Sequence, residues 1–359
     1  VNTELLLLNN QLMHAKNPEN VFGSGSETEL KTIFRVLAFK SHPDKFSEVT
    51  DKALANETFK LLNNWWKIAQ DKLNNKTYGN VMYEKPKQEI LNDITISSTK
   101  YSYVMKAQTK FAGAISDIYE GIQKSNKNKV LLKISRHPNN NLYIQNEASM
   151  LKRIYNIDSS LLALIPECID TFSLSDENKS IKKINVFNYI SDLVSLETVI
   201  KRYPNGIDPK DMAWMFKRCL LVLDLIHSNG IIHGAVLPSH ILLNLKTHGI
   251  LLVDWTQSVN INSKMTIIDN NFIQYYPKTI LEKKNATKAN DIYMLGMTII
   301  KLLGGDLTNK TMPSSVPQEL KHLIKACTLG LDNAGELHTE FDERIVKLWG
   351  EHKFRDFKI

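Results

Sequence analysis

The stretch Leu221-Val-Leu-Asp-Leu-Ile-His-Ser-Asn-Gly-Ile-Ile-His233 reads as a long apolar helix, a glycine stop and a short β-branched strand that enters a loop. The loop runs on as Gly234-Ala-Val-Leu-Pro-Ser-His240-Ile-Leu-Leu243, and ten residues later comes Val253-Asp254-Trp255-Thr256. Upstream, short strands are predicted at Tyr101–Met105, Ala114–Tyr119 and Val130–Ile134, from β-branched and alternating clusters. Helices are predicted at Glu147–Tyr155 and Asp208–Asn229, and downstream at Asn290–Leu303 and Pro317–Leu329. Strands first and helices afterwards is the pattern of a two-lobed α+β domain.

In order and spacing these landmarks resemble a protein kinase over about residues 98–359, with an N-lobe at about 98–190 and a C-lobe at about 191–359. The resemblance implies roles for particular residues. Lys133, in Val130-Leu-Leu-Lys133, falls on the strand lysine that grips the α- and β-phosphates, and Glu147 on its helix partner. Val186–Ile190, followed by Ser195-Leu-Glu, resembles the hinge and its helix; Asp254 falls on the metal-binding aspartate. Asn290-Asp291-Ile-Tyr-Met-Leu-Gly296 resembles the helix whose aspartate braces the catalytic loop.

The departures bear on function. Where that family has His-Arg-Asp, this chain has His233-Gly234-Ala235, and a methyl group cannot accept the substrate's hydroxyl proton. The loop lysine is Leu237, and the metal-holding asparagine is His240. Of three expected phosphate-loop glycines only Gly113 remains, between Phe111 and Ser116. The acid of the family's APE motif aligns with Thr279, and no arginine lies near residues 325–340 to pair with it. The segment Gly304–Val316 is too short for a substrate-docking helix. No catalytic residue is therefore assigned, and a pseudokinase is expected. Gly113, Lys133, Glu147, His240 and Asp254 could still hold ATP with one magnesium ion on Asp254. His240 fits a hydrogen-bonding spacer better than a ligand, and Lys133 with Glu147 could instead simply brace helix against sheet. The alternative is an unconventional ATP-dependent protein kinase or other phosphate-transferring enzyme whose base comes from elsewhere.

Residues 1–78 form a different, all-α region, separated by a polar linker at 79–97. A helix from about Thr3 to Lys16 is followed by Asn17-Pro18. Ser26 and Glu29 make a capping box for a helix that runs to about Lys40, and a long helix covers about Thr50–Leu73. The loop between these last two holds His42-Pro43-Asp44. A basic amphipathic helix, this tripeptide and a long return helix resemble the J domain of DnaJ-type co-chaperones over roughly residues 17–78. That resemblance implies docking on a DnaK-type chaperone through His42, Pro43 and Asp44 and the basic face Lys31, Arg35 and Lys40. The expectation is a co-chaperone fused to a kinase-like scaffold or nucleotide-binding adaptor that binds a protein client. Trp65 and Trp66 cannot both face the hairpin core, so one is expected on the N-terminal helix or a neighbouring domain.

The 45 Lys and Arg exceed the 38 Asp and Glu by a net +7, spread through the larger region rather than gathered in a tail. With no aromatic–basic interleaving, nucleic acid is not expected as a partner. The opening apolar run Leu5–Leu8 is too short for a bilayer, and neither a membrane anchor nor a secretory signal is expected. Cys168, Cys219 and Cys327 are far apart, form no CxxC pattern and fit buried thiols in a reducing cytoplasm.

Overall fold

The computed structural model describes every residue except 1–2, 16, 24–25, 76, 80–92, 158–159, 176–179 and 352. The chain divides into two units, Val1–Ile90 and Leu91–Ile359. No helix among the described residues is long and apolar enough to cross a membrane.

The first unit holds α1 (Thr3–His14), α2 (Glu19–Phe22), α3 (Glu27–Ser41) and α4 (Val49–Asn74), with a 3-10 turn at Pro43–Lys45. The capping box forms as the sequence suggests: the Ser26 side chain accepts from the Glu29 amide, and Glu29 accepts from the Ser26 amide. Leu8, Leu12, Val21, Phe22, Leu30, Leu62 and Ala69 make a small core. Both tryptophans serve it. Trp66 stacks on Phe34 at 4.8 Å and meets the edge of Phe22 at 5.4 Å, while Trp65 Nε1 donates to the Leu12 carbonyl at 2.8 Å. Trp65 is thus the one that packs on the N-terminal helix. The end of α4 is tied down by Lys72, which pairs with Glu19 at 2.9 Å.

In the second unit β1 (Ile94–Ser97), β2 (Ser102–Ala112), β3 (Ser116–Gln123) and β4 (Lys129–Ser135) run antiparallel in sequence order. β5 (Cys168–Ser175) and β6 (Ile181–Asn188) complete a six-stranded sheet in the order β1-β2-β3-β4-β6-β5. The 79–97 linker assignment is corrected here: Ile94–Ser97 pairs with Ser102–Met105 and belongs to the sheet, and residues 80–92 lie outside the described residues. Four residues gave too short a periodicity to separate a strand from a polar linker. Helix α5 (Asn141–Ile154) packs on this sheet and carries Glu147 on its buried side.

The helical lobe follows. Short β7 (Leu193–Ser195) leads into α6 (Leu196–Arg202) and the long α7 (Pro209–Ser228). β8 (Ile231–Ile232) opens the loop region and later pairs with β11 (Val259–Asn260), while β9 (Ile241–Asn244) and β10 (Gly249–Leu252) join β7 in a three-stranded sheet. Then come α8 (Lys278–Leu281), α9 (Lys288–Leu302), α10 (Gln318–Ala326) and α11 (Ala334–Trp349). No helix lies between α9 and α10, as the length of that segment requires. The core is continuous: α7 and α9 contribute Phe216, Leu220, Leu223, Leu295 and Ile299, all wholly buried. A C-terminal tail is strapped across this lobe, with His248 sandwiched between Trp214 and Phe354 at 4.3 and 4.1 Å and Arg355 paired to Asp211 at 2.8 Å.

Candidate functional site

The pleat of β4 buries Val130 and Leu132 in the sheet's own core. Leu131 and Lys133 alternate onto the other face; Leu131 packs against the helical lobe's core. Lys133 is buried and donates to Glu147 at 2.8 Å and to Asp254 at 2.9 Å. Burial pulls the ammonium toward deprotonation, but Asp254 and Glu147 outweigh it and hold the group above its ordinary range. Burial alone would raise the Asp254 carboxyl. The charge of Lys133, the His240 ring and the Thr256 hydroxyl hold it far below the usual range instead.

Asp254 sits in left-handed backbone, φ 62°, ψ 72°, a region a non-glycine residue enters only when its surroundings hold it. Here they do. Its Oδ1 accepts from Thr256 Oγ1 at 2.6 Å as well as from Lys133, and its Oδ2 lies 3.4 Å from His240 Nε2. His240 Nδ1 lies 3.0 Å from the Ala235 carbonyl, so both ring nitrogens face oxygens. Glu147 is equally occupied: Oε1 accepts from Lys133 and from the Trp255 amide at 3.1 Å, and Oε2 from Asn185 at 3.1 Å. Lys133, Glu147, His240 and Asp254 are thus brought together. Gly113 is not part of this cluster. Its amide donates to Ser116 O at 3.0 Å and its carbonyl accepts from Arg136 at 2.8 Å. An added Cβ would lie 2.7 Å from Ser116 O, so the tight turn itself requires glycine there.

The loop at 233–237 is embedded in the helical lobe. His233, Ala235, Val236 and Leu237 are each 0% exposed. Asp291 braces the loop, accepting from the His233 and Gly234 amides at 2.8 Å each, with His227 Nε2 at 3.0 Å. Gly234 has φ +79°, and a Cβ there would sit 2.7 Å from Gln257 O, so a larger residue is excluded by backbone and space alike. His233 accepts the Ala235 amide at Nδ1 and faces Val253 O from Nε2; burial pushes its imidazole down to about 4. Trp255 lies in the helical lobe's core, its Nε1 donating to Leu252 O at 2.9 Å, and not in the cleft. Thr279 accepts from Asn290 at 2.9 Å in place of an ion pair.

This kind of fold brings magnesium with its nucleotide, and the donors here do not fit the ion. Magnesium demands near-octahedral oxygen ligands. Both Asp254 oxygens face groups of the chain itself, and His240 presents a nitrogen. No group of three or more His, Cys, Asp or Glu residues able to hold a metal exists among the described residues. The sequence missed Thr256 and Asn185. Thr256 stands where flexible glycine is expected, which was a visible signal; Asn185 on β6 offered none beyond its polarity in an apolar strand.

The first unit places the His42-Pro43-Asp44 loop at its surface. His42 Nδ1 accepts from the Asp44 amide at 3.3 Å, and the ring sits edge-on to Phe59 at 5.3 Å, which fixes the loop. Lys31, Arg35 and Lys40 are exposed along α3. A groove of about 460 Å³ beside them is lined by Thr32, Arg35, Val36, Phe39, Lys40 and Lys45, with the Lys45 ammonium 3.6 Å above the Phe39 ring.

The family model for the protein kinase domain matches residues 112–351. A probable serine/threonine-protein kinase of Dictyostelium discoideum is 23% identical over 49% of this chain and 15% of its own length. A pseudokinase of monkeypox virus is 29% identical over 32% of this chain and 44% of its own length. The chain therefore spans less than half the length of these curated relatives. The solved structure of vaccinia related kinase 3 superimposes with a TM-score of 0.56 at 14% identity, covering 72% of this chain and 91% of that one, which speaks for the fold. The sheet lobe, the helical lobe, the Lys133–Glu147 pair and the Asp291 brace all agree with that match, and the chain belongs to the protein kinase family.

Proposed function

We propose that this chain is a chaperone-recruiting adaptor. Its helical unit acts as a J domain on a DnaK-type chaperone, and its kinase-fold domain holds a protein client without transferring phosphate. The observation that carries the silent reading is the burial of Ala235 and Leu237 in the helical lobe's core. The proton acceptor and the loop cation of phosphoryl transfer are absent, and their positions lie away from solvent as well. Support for the chaperone reading comes from the exposed His42-Pro43-Asp44 loop beside a basic, partly apolar groove. Charge there would steer encounter with an acidic surface. Three free cysteines, with the Cys219 and Cys327 thiols pushed up to about 12 by burial, suit a reducing compartment such as the cytoplasm.

Two assays on the full chain test this. A DnaK-type chaperone's ATPase should rise with added wild-type chain and not with His42→Gln; no stimulation across several such chaperones would reject the co-chaperone reading. Radiolabel transfer from ATP to the chain or to generic protein substrates should stay at background. The second reading, an unconventional kinase, is favoured by the family match and by the intact Lys133–Glu147–Asp254 set. Transfer that is lost in Lys133→Met would establish it.

A further inference from the structure

We infer that the carboxylates in the charged corner between sheet and helical lobe are engaged by the chain's own groups, so that the kinase-fold domain is a self-filled staple that takes no magnesium nucleotide. The inference rests on the silent reading above and goes further, since a kinase fold that transfers nothing can still bind ATP.

Carboxylates that await a metal keep lone pairs free for it. Here all four oxygens of Glu147 and Asp254 face partners from the chain. Glu147 is held by Lys133, the Trp255 amide and Asn185; Asp254 is held by Lys133 and Thr256, with His240 at its second oxygen. Asn185 is itself fixed, because it also donates to the Ile144 carbonyl at 2.8 Å. A cation arriving at Asp254 would have to displace Lys133 or His240 and would gain no oxygen donor from His240 in return.

The neighbouring segments are tied down too. Leu131, on the same strand face as Lys133, packs against the helical lobe's core. Nearer the surface, Lys110 on β2 pairs with Glu120 and lies 3.5 Å from the Tyr189 hydroxyl and 4.7 Å from the Tyr189 ring centre, which ties the hairpin strand to the segment after β6. Arg136 holds the Gly113 turn through its carbonyl and lies 3.4 Å from Asp117. A loop that must fold over phosphates is thus fastened by a side chain of its own sheet.

The test is thermal unfolding of the full chain with ATP plus magnesium, ATP plus EDTA, magnesium alone and buffer. Ligand that binds only the folded state raises the melting point by mass action. Wild type should stay within about 1 °C of buffer in all arms; a saturable rise with either form of ATP overturns the inference. Lys133→Met leaves the buried Glu147 and the half-buried Asp254 carboxylates without their lysine and should lower the melting point in buffer by about 6 °C, and an unchanged melting point would equally overturn it. His240→Asn frees one Asp254 oxygen and supplies an oxygen donor. It should gain a magnesium-dependent rise with ATP of at least about 2 °C, and a variant as unresponsive as wild type refutes the assigned cause. Should Lys133→Met fail to fold, the wild-type titration and His240→Asn decide. Binding by wild type without transfer would remove this inference and leave the silent reading standing, whereas transfer would remove both.

Discussion

The loops that open with His42 and with His233 are built in opposite ways. In His42-Pro43-Asp44 the histidine and aspartate side chains are 47% and 82% exposed, and lysines and an arginine surround them. In His233-Gly234-Ala235 every residue is buried, and the bracing Asp291 accepts from the His233 and Gly234 amides. A loop that presents charge to a partner keeps it in water, where it costs little to hold. A loop that has lost its charge can be absorbed into the core, and Leu237 has gone there. The comparison sets a loop whose charges lie in water against one packed into the helical lobe's core. The predictions below try to break it.

The largest effect is expected from restoring the missing acid. Ala235→Asp places a carboxylate at a position wholly buried in the helical lobe's core, and an unpaired buried charge costs about 3–4 kcal/mol. Chemical denaturation should show that loss, and radiolabel transfer should remain at background. A stable, newly active Ala235→Asp protein would mean that the loop opens to solvent and that burial does not distinguish the two loops.

A somewhat smaller effect comes from pH. Burial holds His233 neutral down to about 4, while the unfolded chain takes up a proton below its ordinary 6.5. Between those values the unfolded state binds more protons than the folded one. Stability is therefore full above about pH 6.5 and declines by up to about 3 kcal/mol as pH falls toward 4. Carboxylates with depressed values, Asp254 among them, add their losses below their ordinary range, at still lower pH. Denaturant midpoints measured from pH 7 to 4.5 should fall, and His233→Asn should flatten that decline. An equal slope in the variant would show that the buried loop does not set it.

How much of this was readable in the chain depends on the kind of signal. The long helices announced themselves through apolar spacing: Asp208–Asn229 was expected and Pro209–Ser228 is observed. The capping box at Ser26 and Glu29 was legible because its two residues interact within one turn. Lys133, Glu147 and Asp254 could be placed by order along the chain, since a fold that spaces them so brings them together. The self-sealing of that corner was not legible. It depends on which side of a strand Asn185 faces and on how Thr256 turns back to Asp254, and both follow from tertiary packing. The same holds for the loop at 233–237. Its composition showed that the resembled family's acid and lysine are replaced, but only the packing of Leu237 with the surrounding helices shows how that space is filled. Strand β5 and helix α11 went unassigned, the strand because eight residues of mixed polarity carry little periodicity.

The smallest effect on stability, and the sharpest on function, is expected at the exposed loop. Asp44→Asn removes a charge that water already solvates. Its hydrogen-bonding to the fold runs through its backbone amide, which donates to His42 Nδ1 and is unchanged by the substitution. The loss of stability should be under about 0.5 kcal/mol, the range of surface substitutions away from caps and cores. On the proposed co-chaperone reading, stimulation of a DnaK-type chaperone's ATPase should nonetheless disappear, because this exposed carboxylate, 3.6 Å from His42 Nδ1, would meet the partner. His42→Gln is expected to cost somewhat more, since the imidazole also packs edge-on against Phe59. The pair therefore divides the two contributions: equal loss of stimulation with unequal loss of stability identifies the loop as a recognition element held by His42 and read through Asp44. If Asp44→Asn instead unfolds the helical unit, the aspartate serves the fold, and the contrast between the two histidine loops fails.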